Sequence, residues 1–263
     1  MTELAREISK LARAAGAPSE DLTILAEGNA AVFDRANDRF LVKASGVIMS
    51  DATDEDWVWV SASKCVEILE EAVKVGVTDK LNSALNLLLK DASTPSGKNR
   101  KASIETLVHA VAFHLMDANW SLHTHPTPVV AIAASKRAAE HYSGSLFPDE
   151  SVICGPVPLF LPYAAPGLEL GLGVYQGVLK YKDQFGRSPG QIILGNHGLC
   201  TSGKGSDEAL ATTKMAVKAA KVRIGALSAG GINFITIEAA EAIAFRPDEV
   251  ARRLMLTTEK NGK

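Results

Sequence analysis

The sequence predicts an α/β fold on three observations. Apolar residues recur at helical spacing in several long segments, short apolar runs bounded by turn residues lie between them, and the two kinds of segment alternate along the chain. The opening helix covers residues 2–15, where Leu4, Ile8, Leu11 and Ala12 share one face, and Gly16 and Pro18 end it. Residues 29–33 and 39–43 are apolar runs around the turn-rich Asp34-Arg35-Ala36-Asn37-Asp38, the pattern of a β-hairpin. Residues 56–60 have strand character, Ser63 introduces a helix to about residue 73, and a further helix covers 79–90. Residues 91–103, rich in Ser, Pro, Gly, Lys and Asn, read as a loop. A strongly apolar helix over 104–117 then feeds a strand that carries His123 and His125. Residues 152–160 and 191–194 are strand-like, with a helix near 168–183 between them, and 199–202 completes a hairpin around Gly195-Asn196-His197-Gly198. The last third is mainly helical, over 206–227 and 247–258. Without internal repeats or a long linker, residues 1–263 read as one domain.

Hydrophobic content of 46% and charged content of 22% are those of an ordinary soluble globular protein, and 263 residues suffice for a large core. A formal net charge of −2 gives no electrostatic reason to expect nucleic acid or a membrane surface as partner, and Lys98, Arg100 and Lys101 form the only basic cluster. No apolar run approaches the roughly 20 residues that span a bilayer, and residues 1–16 carry charges throughout, unlike a signal peptide. Cys65, Cys154 and Cys200 are odd in number and form no CxxC pair, which points to a reducing compartment and a cytoplasmic protein.

The chemistry concentrates in Ser121-Leu122-His123-Thr124-His125-Pro126. On an extended strand, side chains two apart project from the same face, so both imidazoles can point at one spot. His197 lies in a glycine-flanked turn of the kind that exposes a side chain at a strand end. Three neutral imidazoles with one coordination position left open are what a catalytic Zn²⁺ needs. Taken alone, the histidine pair is equally a satisfied core histidine followed by one that caps the next helix, with Pro126 suited to a first helical position. Glu105 also has two readings. In the first turn of its helix, with Ser103 as N-cap, it complements the helix dipole; beside a metal it is a general acid and base. His109 and His114 pack or face solvent on that helix, and His141 lies in a loop-like surface stretch. Cys200 sits in a strand as a buried structural thiol. Nucleophile elbow, P-loop and GxGxxG motifs are all missing from the sequence.

The ordered set Glu27-Gly28-Asn29, Lys43-Ala44-Ser45-Gly46, Ala102-Ser103-Ile104-Glu105 through His109, His123-Thr124-His125-Pro126 and Asn196-His197-Gly198 resembles the class II aldolase/adducin family. Within it the likeness is to zinc sugar-phosphate aldolases of the fuculose- and rhamnulose-phosphate type. The Ser-Ile-Glu-Thr variant, with Leu161-Pro162-Tyr163 and Pro166-Gly167, is most similar to the aldolase module of aldolase/dehydrogenase fusions. The resemblance implies a three-layer α/β/α sandwich with a central, mainly antiparallel sheet, assembled as a homotetramer with active sites near subunit interfaces. It implies that His123, His125 and His197 hold Zn²⁺ or another divalent transition metal, and that Glu105 is the acid/base. Gly28, Asn29, Ser45, Gly46 and Ser103 line the phosphate pocket of a sugar-phosphate substrate. Ala31 and Ile104 stand where relatives carry hydroxyls, and Lys43, Arg100 or Lys101 supplies charge in their place. Tyr142 is the candidate, by its distance after the histidine pair, for a catalytic tyrosine contributed across subunits.

The implied reaction is reversible aldol cleavage of a ketose 1-phosphate to dihydroxyacetone phosphate and an aldehyde. Sugar-phosphate epimerases, dehydratases and decarboxylases share the scaffold, and a non-catalytic adducin-like module is a further alternative. Retention of Glu105 and of all three histidines favours the aldolase.

Overall fold

Strands β1 (Asn29–Asp34), β2 (Arg39–Lys43), β3 (Trp57–Ser61), β4 (Trp120–Thr124), β5 (Leu159–Leu161), β6 (Gln191–Leu194) and β7 (Gly198–Gly203) join into one sheet in a computed structural model that describes residues 2–258. Their order is β3-β2-β1-β4-β7-β6-β5, and every pairing is antiparallel except β5 with β6. The hairpin read from residues 29–43 is β1–β2, with Ala31 opposite Val42. β4 occupies the middle of the sheet, and all five of its residues are buried. Its register sets Asn29 of β1 opposite His123 on one side and Cys200 of β7 opposite His123 on the other. Three chemically distinctive residues thus lie in one row across the sheet.

Helices cover both faces. On one face α2 (Ala62–Val75), α4 (Thr106–Leu115) and α8 (Leu168–Phe185) pack together, with α3 (Asp79–Lys90) outside them. The other face carries α1 (Glu3–Ala15), α5 (Thr127–Ala133), α7 (Pro148–Cys154) and the long α9 (Ser206–Ser228). The short α6 (Ala138–His141) follows α5, and α10 (Ile237–Ala244) and α11 (Pro247–Thr258) close the chain against α7. The result is the expected three-layer α/β/α sandwich. Alternation along β4 assigns its side chains to the two layers. Ser121 Oγ meets His109 Nδ1 of α4 at 2.8 Å, so His123 shares the α4 face. Thr201 of β7, opposite Leu122, instead donates to Ala209 O of α9.

Local signals account for most boundaries. Thr2, Ser61 and Thr78 accept hydrogen bonds from Ala5 N, Lys64 N and Leu81 N, which caps α1, α2 and α3. Ser61 rather than Ser63 is therefore the residue that starts α2. Residues 152–160 are not one strand. Pro148, Asp149 and Glu150 start α7, which runs through Val152 and Ile153 and stops at Gly155 (φ +85°), leaving only Leu159–Leu161 extended. His141 ends α6 instead of lying in a loop. The α4 helix begins at Thr106 because residues 103–105 are occupied by a turn, closed by Thr106 N and Oγ1 on Ser103 O. Among the described residues no helix is long and apolar enough to cross a membrane.

Candidate metal centre

Two separate pieces of chain deliver the histidines to one end of the sheet. His123 is on β4, and His125 follows directly after it, held by donation from its N–H to Leu22 O at 2.8 Å. His197 sits in the β6–β7 turn, where Asn196 adopts left-handed backbone (φ +53°) and His197 N–H donates to Leu194 O at 3.1 Å. That turn can approach β4 only because the next residue is glycine. A Cβ on Gly198 would stand 2.5 Å from Thr124 O and 2.8 Å from His125 Cδ2. Glu105 arrives from the layer above, at the N-cap position of α4, yet its side chain makes no capping hydrogen bond. The carboxylate is turned into the cluster, and Glu105 rather than Ser103 occupies the N-cap position.

The rings stand edge to face, with centroids 4.7–5.0 Å apart. His123 Nε2 and His125 Nε2 are 2.9 Å apart, Glu105 Oε1 is 2.9 Å from His197 Nε2, and Glu105 Oε2 is 3.4 Å from His123 Nε2. The four donor atoms all lie within 4.8 Å of one another. His123 Nδ1 lies 3.0 Å from Leu199 O. A carbonyl only accepts, so the hydrogen is on Nδ1 and the Nε2 lone pair faces the centre, the arrangement a metal ligand needs. Asn29 Nδ2 donates to Glu105 Oε2 at 2.8 Å and fixes the carboxylate.

Electrostatics agree with a cation among these groups. Burial opposes ionisation of Glu105, but the adjoining His123 and His197 prevail and hold its carboxyl well below the usual range. Burial, and then the neighbouring His123 and His197, pull His125 down to about 3. Burial likewise opposes charge on His123, which Cys200 and Glu105 nonetheless raise. An ionised Glu105 and a neutral His125 are the protonation states that metal ligation and acid/base work at such a centre use. Three nitrogens and a carboxylate oxygen suit Zn²⁺ and its first-row neighbours. Beside the cluster opens a cleft of about 360 Å³, bordered by Asp21, Thr23, Glu27, His125, Thr127 and His197 among others.

The family model of the class II aldolase and adducin N-terminal domain matches residues 6–224. The chain belongs to this family. Its fold is similar to that of an L-fuculose 1-phosphate aldolase, with 17% identity and a TM-score of 0.67 over 93% of this chain and 95% of that one. It is also similar to the N-terminal class II aldolase domain of a conserved Thermoplasma acidophilum protein, with 22% identity and a TM-score of 0.62 over 85% and 94% of the two chains. A third likeness is to YgbL of Klebsiella pneumoniae, whose name offers aldolase, epimerase and decarboxylase as alternatives, with 15% identity and a TM-score of 0.65 over 92% and 99%. At these identities the likeness is one of fold. No curated protein gives a significant match. Membership in the class II aldolase family supports a lyase-type enzyme that works with a metal ion, and the histidine–glutamate cluster is where this member can hold one.

The remaining site residues fall into two groups. Gly28 and Asn29 adjoin the cluster. Gly28 has φ +70°, and a Cβ there would meet Thr23 Cγ2 at 2.5 Å and His123 O at 2.9 Å. Ser45, Gly46 and Ser103 form a neighbouring rim, because Ser103 N–H donates to Lys43 O and Ser45 N–H to Lys101 O. Lys43 does not serve as a free cation for phosphate. Its ammonium donates to Ala26 O, Glu27 O and Val47 O, and burial pulls it down to about 8 against the opposing Glu105 charge. It ties two loops together. Arg100 is likewise engaged, with Glu55 O and Asp56. Tyr142 is not brought to the cluster: it is 2% exposed, donates weakly to Val129 O at 3.4 Å, stacks on Phe160 and borders a different cavity. His109 is fully buried on Ser121, and His114 is exposed. Cys200 is buried, as its strand position predicts, with Sγ 3.2 Å from His123 Nδ1. Sequence reasoning missed Leu199 O as the partner of His123 and Glu27 as the neighbour of His125.

Proposed function

We propose that the protein catalyses reversible aldol cleavage of a ketose 1-phosphate of the rhamnulose or fuculose type, giving dihydroxyacetone phosphate and an aldehyde. The observation that carries this reading is the meeting of His123, His125, His197 and Glu105 beside an open cleft. A divalent ion held there, Zn²⁺ or a close relative, supplies Lewis-acid polarisation of the substrate carbonyl.

The residues of the chain do the rest. Glu105 moves the proton, taking it from the hydroxymethylene carbon of dihydroxyacetone phosphate in condensation and returning it in cleavage. Asn29 holds one carboxylate oxygen so that the other stays aimed at the reacting centre. At 8% exposure, Glu105 is shielded from bulk water. Gly28, Asn29, Ser45, Gly46 and Ser103 bind the phosphate, mainly through backbone N–H groups and hydroxyls. Lys43 acts indirectly, by locking the Ala26–Gly28 segment to the Ala44–Val47 loop. The reading carries with it a single catalytic domain, assembled as a cytoplasmic homotetramer. Ile24 and Leu25, 63% and 77% exposed near the cleft, are apolar surface of the kind such an interface covers.

The deciding experiment is a panel of ketose 1-phosphates and their unphosphorylated counterparts, assayed for release of dihydroxyacetone phosphate or dihydroxyacetone. Release of either supports aldol cleavage. An epimer, or loss of water or CO₂, from the same substrates assigns the scaffold to one of its other reactions.

A further inference from the structure

A histidine that binds metal through one ring nitrogen needs an acceptor on the other, because that acceptor fixes tautomer and ring orientation together. The three imidazoles differ in this respect. His123 has Leu199 O. The outward nitrogen of His197, Nδ1, is buried and has no hydrogen-bond partner among the described residues. His125 turns its Nδ1 toward Glu27, whose Oε1 is 3.6 Å away. That is an ion-pair distance, within about half an ångström of hydrogen-bond range.

Three hydrogen bonds hold Glu27 at the cleft mouth. Its Oε2 accepts from Ile24 N at 3.1 Å, its own N–H donates to Ile24 O at 3.1 Å, and Lys43 Nζ grips its carbonyl at 3.3 Å. Leu25 within this turn adopts left-handed backbone, φ +51°. One carboxylate oxygen is thus committed to the turn and the other is left facing His125.

We propose that Glu27 is a positioning residue of the metal centre: its carboxylate accepts from His125 Nδ1–H and so keeps His125 Nε2 unprotonated and turned toward His123 and His197. Glu27 touches neither the reacting atoms nor the ion. It acts through His125, and Lys43 acts through Glu27 by fixing its backbone. The inference rests on the metal-centre part of the proposed function and not on the identity of the substrate.

The test is metal affinity without substrate. Zn²⁺ is titrated against a chromophoric chelator in the presence of wild type, Glu27→Ala and Glu27→Gln, and the melting temperature of each metal-free protein is recorded. Removing a partner of this kind weakens metal binding by about 10–100-fold, so Glu27→Ala should lose that much. Glu27→Gln keeps a single acceptor oxygen, which serves Ile24 N–H and turns the amide nitrogen toward His125, so it should weaken zinc binding with an unchanged metal-free melting temperature. A purely structural role predicts the reverse, a lowered melting temperature with the zinc dissociation constant unmoved. If Glu27→Ala does not fold, Glu27→Gln decides: a loss beyond twofold supports the role. Zinc affinity within twofold of wild type in a folded variant overturns it and leaves the aldolase reading intact. A wild-type protein that binds no divalent ion overturns both.

Discussion

His123 Nε2 and His125 Nε2 stand 2.9 Å apart at the inner end of the cleft. Because His123 Nδ1 carries the hydrogen it gives to Leu199 O, the Nε2 lone pair of His123 points at its neighbour. Two rings so placed cannot both be protonated, and the pair is stable only around a shared proton or a shared cation. Glu105 Oε1, 2.9 Å from His197 Nε2, completes the same arrangement from the helix layer.

Replacing Glu105 by Gln keeps the shape of the side chain and removes its basicity. Solvent deuterium should then cease to enter dihydroxyacetone phosphate, and turnover should fall by about 10²–10⁴-fold, the usual contribution of a positioned acid/base. Exchange at the wild-type rate would remove Glu105 from the proton-transfer role.

Asn29→Ala deletes the amide donor that Glu105 Oε2 accepts from at 2.8 Å. A hydrogen bond to a charged group contributes about 1.5–3 kcal/mol, so kcat/KM should drop by about 10–100-fold. Metal content should be retained, since Asn29 is not among the clustered donors. Loss of metal along with activity would show that Asn29 belongs to the ion's own binding set.

Gly28→Ala tests backbone and packing at once. Its left-handed conformation costs an L-residue about 1–2 kcal/mol, and the added carbon meets Thr23 Cγ2 at 2.5 Å and His123 O at 2.9 Å. Urea denaturation should show destabilisation beyond that strain cost alone. An unchanged midpoint would mean that the Gly28 loop is free to move away from β4.

The pH dependence of stability should carry the mark of His109. Burial, then the charge of His123, lowers this group from 6.5 to about 3. The unfolded chain therefore takes up a proton below about 6.5 that the folded chain refuses until about 3. Stability is fully present above 6.5 and declines as pH falls through this window, by up to about 1.4 kcal/mol per pH unit. In metal-free protein, His109→Gln should show a shallower decline between pH 6.5 and 3 than wild type. Parallel curves would mean that His109 is protonated within the fold.

The strands around the site were legible because they obey simple periods. Alternation placed His123 on the site-facing side of β4 with His125 just beyond the strand end, and the glycine-flanked turn marked His197. Glu105 was legible by position, but its helix begins one residue after it, and the turn over residues 103–105 puts Glu105 rather than Ser103 at the N-cap position. Val152 and Ile153 were ambiguous for a physical reason: a short apolar run reads alike as buried strand or buried helix. The parts that stayed hidden depend on contacts distant in sequence. Leu199 O reaches His123 only through strand pairing, Lys43 spends its ammonium on three carbonyls, and Tyr142 is turned into the interior by packing on Phe160.

The central claim is that His123, His125 and His197 jointly hold one divalent ion beside Glu105. Its most direct test is elemental analysis of the purified protein after loading with Zn²⁺ and removal of excess, performed on wild type and His123→Ala. The expected result is about one zinc per chain in wild type and loss of both zinc and turnover in the variant. A folded wild-type chain that retains no metal, or a His123→Ala variant that keeps both metal and activity, would contradict it.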